Sequence, residues 1–249
     1  MSLVSIVTPA FNAAKTLAQT IDSVRAQTFQ DWEIIIVDDA SDDSTTALAA
    51  HYALEDKRVR IIRRAENGGI AKARNQGLSA ATGRYIAFLD SNDLWLPEKL
   101  ALQLNFMEEN NATISCTAYR RFSSLQNPGA ILRAPKRITF DTLLRAPNIG
   151  MLTAVIDRDN SGPFYFNEQI GGDEDLALWL TITKAGQDVL FFDRDLARHR
   201  VALHLDPREW IHIGWTTWRI YRDIAGLPKK QAAKALAFYF LYSLRKRMF

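Results

Sequence analysis

Glu33-Ile34-Ile35-Ile36-Val37, closed by Asp38-Asp39, is the stretch on which the fold class turns. Four β-branched apolar residues in succession leave no polar face, which is the pattern of a strand buried on both sides in a parallel sheet. The segments around it alternate in kind. Upstream, Leu3-Val4-Ser5-Ile6-Val7 is a short β-prone run stopped by Thr8-Pro9, and Lys15 to Gln27 places Leu17, Ile21 and Val24 at helical spacing. Downstream, Ser41-Asp42-Asp43 offers N-caps for a helix reaching about Ala53, and Val59-Arg60-Ile61-Ile62 is a third strand. A helix over Ile70 to Ala81 follows Asn67-Gly68-Gly69, and Tyr85-Ile86-Ala87-Phe88-Leu89 forms a fourth strand ended by Asp90. Strand–helix alternation of this kind means βαβ units, and the fold class is α/β.

The rest of the chain is less regular. Pro97 opens a helix to about Asn110, Ala112 to Ala118 reads as a strand, and Ser123 to Pro147 is loop-rich. Met151 to Ile156 is a further strand candidate, and Asp175 to Ala185 is an amphipathic helix. Two last helices are expected at Glu209 to Ala225 and Lys229 to Arg247. At 249 residues, 47% hydrophobic and 24% charged, the composition is that of a globular protein with a large core. A single cysteine, Cys116, excludes an intrachain disulfide, and four scattered histidines argue against a His-built zinc site. Neither a signal peptide nor an apolar run of membrane-spanning length is apparent, so a cytoplasmic protein is expected.

In open parallel sheets, ligands sit beyond the carboxyl ends of the strands. That edge collects Thr8-Pro9-Ala10-Phe11-Asn12, Asp38-Asp39 and Asp90-Ser91-Asn92-Asp93. Carboxylates there would repel a phosphate unless a divalent cation intervened, or unless they read N–H and hydroxyl groups instead. Asp42 and Asp43 are read as structural caps. No Gly-x-Gly-x-x-Gly follows the first strand and no Walker A sequence occurs, so a dinucleotide-dependent dehydrogenase and a P-loop ATPase are poor fits.

Taken in order, Val4-Ser5-Ile6-Val7-Thr8-Pro9-Ala10-Phe11-Asn12, Ile34 to Ser41, Glu66-Asn67-Gly68-Gly69, Ala73-Arg74-Asn75 and Phe88-Leu89-Asp90-Ser91-Asn92-Asp93-Leu94-Trp95 resemble the successive signatures of family 2 glycosyltransferases. Glu174-Asp175 followed by Leu178-Trp179-Leu180 extends the resemblance to about the first 185 residues. The softer similarity is to bacterial enzymes that build surface polysaccharides. The resemblance implies a GT-A fold, a mostly parallel central sheet flanked by helices, and transfer of a sugar from a nucleotide diphosphate donor with inversion. It implies a catalytic domain over residues 1–205, divided into a nucleotide-sugar half (1–95) and an acceptor half (96–205), with a helical extension over 206–249.

The same resemblance assigns roles. Thr8, Pro9, Ala10 and Phe11, with Asp38 and Asp39, match positions around base and ribose; a carboxylate accepts a hydrogen bond from a base N–H, and Phe11 would stack on the base or pack into the core. Arg74 matches a position near the nucleotide, or would answer Asp39 or Asp90 in an ion pair. Asp90-Ser91-Asn92 stands where the family carries Asp-x-Asp, so a divalent metal, Mn²⁺ or Mg²⁺, would meet Asp90 and the amide of Asn92, with Asp93 as a compensating acid. Asp175 is the expected base for the acceptor hydroxyl, and Glu174 would orient it or touch the donor sugar. On their own residues, Asp173, Glu174 and Asp175 also suit a helix N-terminus. Trp179 is read as core or as a wall below the acceptor, and His199 and His204 as structural or surface residues, either of which could approach the diphosphate.

Charge is uneven along the chain. From Arg194 onward there are twelve Lys or Arg and four Asp or Glu, against nineteen and twenty-four before it. Basic residues flank aromatic ones over 229–249, which suits peripheral contact with an anionic bilayer or packing on protein. The expected partners are a nucleotide diphosphate sugar, with UDP favoured, and a saccharide or lipid-linked saccharide acceptor. Nucleic acid is not expected, and a homo-oligomer is left open. The expected location is cytoplasmic, or peripheral on the inner face of the cell membrane. The competing readings are a non-catalytic nucleotide-sugar-binding scaffold and a sugar nucleotidyltransferase, although Pro9-Ala10-Phe11-Asn12 is not the glycine-rich basic loop of the latter.

Overall fold

Strands β1 (Val4–Ala10), β2 (Trp32–Asp38), β3 (Val59–Arg63) and β4 (Tyr85–Phe88) alternate with helices α1 (Leu17–Arg25), α2 (Thr45–Glu55) and α3 (Ile70–Ala80). In this computed structural model, residues 3–123, 129–147, 149–201 and 207–248 are described. Every residue of β1 and β2 is buried, as the unbroken Ile34–Val37 run requires of a strand covered on both faces. β1 pairs in parallel with both β2 and β4, and β2 with β3. Helix α3 lies close on the sheet because Gly77 leaves room: a Cβ there would sit 2.5 Å from Val7 Cγ1.

The second half continues with β5 (Leu94–Trp95), α4 (Lys99–Glu109), β6 (Ile114–Phe122), β7 (Ile131–Leu132), β8 (Arg137–Ile138) and α5 (Phe140–Arg145). After them come β9 (Val155–Asp157), α6 (Arg158–Ser161), α7 (Glu174–Lys184) and β10 (Val189–Arg200). The sheet runs β3-β2-β1-β4-β9-β6-β10-β5, with β7 on β6 and β8 on β10. β9 is antiparallel to both neighbours, β4 and β6, whereas β10 returns parallel to β6. The chain ends in α8 (Pro207–Arg219), a π-helical turn at Ile220–Ile224, and α9 (Lys229–Met248).

Two apolar clusters, one on each face of the sheet, form the core. α9 belongs to it: Ala232 and Ala235 are buried, and Leu236 and Tyr239 pack against it. Several expectations are corrected. Met151–Thr153 form a 3-10 turn and the strand starts at Val155; Thr153 closes the turn with its amide and hydroxyl on Gly150 O, and all-round burial hid it from the sequence pattern. The loop-rich segment contains α5, started by a capping box in which Thr139 and Thr142 satisfy each other's backbone. β10 was not anticipated, since Asp193-Arg194-Asp195 interrupts its alternation, and the ladder to β6 shifts register there.

Candidate active site

The carboxyl ends of β1, β2 and β4 open on a groove of about 780 Å³ lined by Pro9, Ala10, Phe11, Asp39, Asp90, Ser91 and Asn92. That volume is within the usual range for small-molecule sites, roughly 300–1,000 Å³. Its floor is held by two turns with left-handed residues, Asn12 (φ 49°) and Ala40 (φ 60°). They are laced together: Asn12 donates its N–H to Ser41 Oγ (2.9 Å) and accepts the Asp42 N–H on Oδ1 (2.9 Å). Such backbone costs about 1–3 kcal/mol and persists where surrounding bonds hold it.

The two aspartates at the end of β2 do different work. Asp38 is wholly buried and accepts from the Ser41 amide (3.1 Å) and from the hydroxyls of Ser41 and Thr46, so it shapes the turn and does not line the groove. Asp39 faces the groove. Its carboxylate accepts the N–H groups of Gly68 (3.0 Å) and Gly69 (2.8 Å) and pairs with Arg64 at 2.7 Å. Gly69 has φ 85°, which lets the chain present both amides to one carboxylate before α3 begins. Phe11 is half exposed on the groove wall, so its alternative as core packing is set aside. Thr8 is buried within β1, and its hydroxyl lacks a hydrogen-bond partner. Asp43 serves as a cap, accepting the amides of Thr45 and Ala14.

A second, smaller cavity of about 290 Å³ meets the groove at Asp90, which lines both. Its walls include Asp175 and Trp179 from α7, Met151, Tyr119 and His199 from the sheet side, and Tyr239 and Tyr242 from α9. Arg74 is fully buried and ties the shared Asp90 to Asp175. It bonds Asp90 Oδ1 at 2.9 Å through one terminal nitrogen and Asp175 Oδ1 through the other. Arg74 therefore answers Asp90 and Asp175, while Arg64 answers Asp39. Burial alone would lower the Arg74 pKa, but the two carboxylates raise it above the ordinary arginine value and keep it charged. Asp175 leaves about a third of its side-chain surface open to the cavity. Its depth still raises the carboxyl, against the opposing pull of Arg74.

Asp175 is placed by the residues just before it. Gly171, Gly172 and Asp173 all have positive φ (66°, 138° and 52°), a tight left-handed run that turns the chain into α7. Glu174 accepts the Gly172 N–H at 2.9 Å. Asp173 accepts from Thr217 Oγ1 (2.7 Å) on α8 and Tyr239 OH (3.1 Å) on α9. Burial raises the Asp173 pKa despite these donors.

A family model described as "Glycosyl transferase family 2" matches residues 5–156. The chain belongs to that family. It is 36% identical over 99% of its length, and 98% of the relative's, to the putative teichuronic acid biosynthesis glycosyltransferase TuaG of Bacillus subtilis. Over 73% of its length, and 70% of the relative's, it is 38% identical to the UDP-Glc:alpha-D-GlcNAc-diphosphoundecaprenol beta-1,3-glucosyltransferase WfgD of Escherichia coli. Its fold matches the S. aureus TarS 1–349 fragment solved with UDP at a TM-score of 0.68 and 20% identity, covering 100% of this chain and 72% of the other. The fold of this glycosyltransferase is thus GT-A.

Members of this fold typically use a divalent metal, and the donor set suits a hard cation. Asp90 offers a carboxylate and Asn92 an amide oxygen on the same groove, which matches a site completed by substrate phosphates. Asp93 is placed elsewhere. It is buried, accepts the Arg200 N–H at 2.8 Å, and lines the smaller cavity; burial, then the charge of Asp90, raises its carboxyl well above the ordinary range. Among the described residues, no three His, Cys, Asp or Glu side chains are grouped to hold a metal alone.

The sequence reading missed several groups. Arg200, at the end of the unanticipated β10, lines the larger groove and donates Nε to Asn92 O at 2.9 Å; Lys15 lines it too. Tyr239 and Tyr242 were read only as amphipathic rings. His199 lines the smaller cavity edge-on to Tyr119, not the larger groove. His204 and the 205/206 boundary lie outside the described residues.

Proposed function

We propose that this glycosyltransferase transfers a sugar from a UDP-sugar to a lipid-linked saccharide in surface-polysaccharide synthesis, with inversion. The observation that carries the reading is the meeting of two cavities at Asp90, with Arg74 joining Asp90 to Asp175. An inverting transfer needs a donor on one side of the reacting carbon and a base on the other, within one water-poor site. WfgD is named for UDP-Glc and a diphosphoundecaprenol-linked acceptor, and UDP is the ligand of the TarS structure, which supports UDP and a lipid-linked acceptor here.

In this mechanism the donor groove takes the nucleotide. Asp39, fixed by Gly68, Gly69 and Arg64, accepts a base N–H, and Phe11 stacks on the base. Arg200 and Lys15 face the diphosphate and lower the cost of the charge that develops as it leaves. A divalent cation held by Asp90 and Asn92 would neutralise further charge on the departing diphosphate. Asp175 takes the acceptor hydroxyl proton as the new bond forms; Arg74 keeps it ionised and aimed. Glu174 holds the turn that sets its position, and Trp179, Tyr239 and Tyr242 wall the acceptor. Among the described residues no helix is long and apolar enough to cross a membrane. A lipid-linked acceptor is met, in this reading, by peripheral attachment at the inner face of the membrane through 229–249, where basic residues flank aromatic ones.

Thermal unfolding with a panel of nucleoside diphosphates, with and without Mn²⁺, tests donor binding. UDP at one hundred times its dissociation constant should stabilise the protein by about 2.7 kcal/mol. Transfer from UDP-glucose to a diphosphate-lipid-linked sugar, with the anomer read by NMR, tests the rest. Nucleotide binding without turnover would favour the scaffold.

A further inference from the structure

We infer that this protein docks on anionic bilayers through a face built from two helices, α8 and α9, and not through the C-terminal helix alone. The inference rests on the peripheral reading above and names the surface. Four large apolar side chains stand open to solvent there: Ile211 (77% exposed), Trp215 (64%), Leu241 (58%) and Leu244 (52%).

Their arrangement follows from helix geometry. α8 and α9 form a helical hairpin joined by one turn and a short loop, so they run antiparallel. The contacts agree: a Cβ on Gly214 would lie 3.1 Å from Phe240, and Thr217, further along α8, shares Asp173 with Tyr239, earlier on α9. At about 100° per residue, Ile211 and Trp215 lie roughly 60° and 100° round α8 from Gly214, and Leu244 and Leu241 roughly 40° and 100° round α9 from Phe240. In an antiparallel pair, equal rotations turn both sets to the same side. The four residues therefore share one outer face.

Charge selects the occupant. By the same count, exposed Lys230 and Lys234 fall on the Leu241 side of α9, and α9 carries six basic residues and no acidic one. Arg219 lies four residues beyond Trp215, with Asp223 at 3.8 Å as the acid nearby. Apolar and aromatic side chains flanked by cations match the surface of an anionic bilayer.

The opposite side of α9 carries Tyr239, Tyr242 and Ser243, which line the acceptor-side cavity. Docking would set that cavity about one helix diameter, ~10 Å, above the apolar face. The headgroup layer is roughly 5–8 Å deep on each side of the hydrocarbon. A sugar carried on a lipid diphosphate stands at about that height.

The test is flotation of the full chain with phosphatidylcholine vesicles, with and without ~30% phosphatidylglycerol. Wild type should float with the anionic vesicles only, and brominated lipid should quench a fluorescence component that Trp215→Phe removes. The pair Ile211→Ser with Trp215→Ser should cut partitioning at least tenfold, and Lys234→Glu by about fivefold or more. UDP-dependent thermal stabilisation should be unchanged in each variant, which shows that the fold and donor site persist. If the α8 pair floats like wild type while Lys234→Glu does not, the two-helix face is wrong and attachment through α9 stands. If wild type ignores anionic vesicles, both fall. A concentration-dependent dimer abolished by the α8 pair, with vesicle binding intact, would assign the face to a second copy and overturn the proposal.

Discussion

The larger groove, proposed as the donor site, and the smaller cavity, proposed as the acceptor site, meet at one carboxylate, yet the acids around them are held in opposite ways. Asp38 and Asp39 are fixed by residues of the first βαβ units: Ser41 and Thr46 for one, Gly68, Gly69 and Arg64 for the other. Asp173 and Asp175 are fixed from far along the chain, by Thr217, Tyr239 and Arg74. The proposed donor half carries most of its own geometry, Arg200 excepted, whereas the proposed acceptor half borrows it from the C-terminal hairpin and from α3. A change in the hairpin should therefore alter turnover and acceptor use and leave nucleotide binding alone.

The sharpest way to break this comparison is Asp175→Asn. Turnover should fall about 10²–10⁴-fold, the range for losing a general base, while UDP affinity by calorimetry stays within twofold. An equal loss of UDP affinity would merge the two sites into one. Arg74→Met removes the link between the halves. It should destabilise the fold by about 3 kcal/mol in denaturant melts, because two carboxylates lose a buried counter-charge. It should also move the acid limb of the pH–rate profile. As the proposed base, Asp175 would work ionised, so the rate should rise with pH through its pKa, which burial has raised and Arg74 holds down. Without Arg74 that limb shifts to higher pH.

Asp39→Asn probes the self-contained half. UDP binding should weaken about 10–100-fold, with the rate at saturating donor little changed. Tyr239→Phe probes the borrowed geometry: one donor to Asp173 is lost, so kcat should fall about fivefold with donor KM unaffected. A last effect, on stability alone, concerns the base of the first βαβ units. Burial alone would raise the Glu33 pKa, but Ser5, Thr82 and Arg60 bring it from 4.5 to about 2. The unfolded chain takes up the proton first, so this contribution is present above pH 4.5 and lost as pH falls towards 2. Glu33→Gln should flatten that part of the Tm–pH curve.

The same division explains what the sequence revealed. β1, β2 and β4 were legible because burial on both faces writes apolar runs such as Ile34–Val37, and the edge strand β3 because its apolar and basic residues sit between turn signals. Asp39, Asp90 and Asp175 were legible as motif positions. The partition between Asp38 and Asp39 was not, since adjacent identical residues differ only in which way the turn aims them. For Arg74 the sequence left Asp39 and Asp90 open as partners, and the structure selects Asp90. Asp175 was not legible as its second partner, because it stands about a hundred residues along the chain on α7. β10 was obscured by its charged centre, and Arg200 with it. For the aromatic residues of α9, bilayer contact and packing on protein both stayed open, because the sequence of a helix does not say which side meets the body.

The position of β9 has a consequence for how the chain is made. β3, β2, β1 and β4 come from the first ninety or so residues and can pair as soon as they emerge. The strand that covers β4, Val155–Asp157, is synthesised much later. At ~5–20 residues per second the open edge of β4 waits on the order of several seconds. During that interval the nascent sheet presents unpaired backbone to any other chain nearby. The ribosome, or a chaperone at its exit, would have to shield that edge, and fragments ending before Asp157 should aggregate where the whole chain does not.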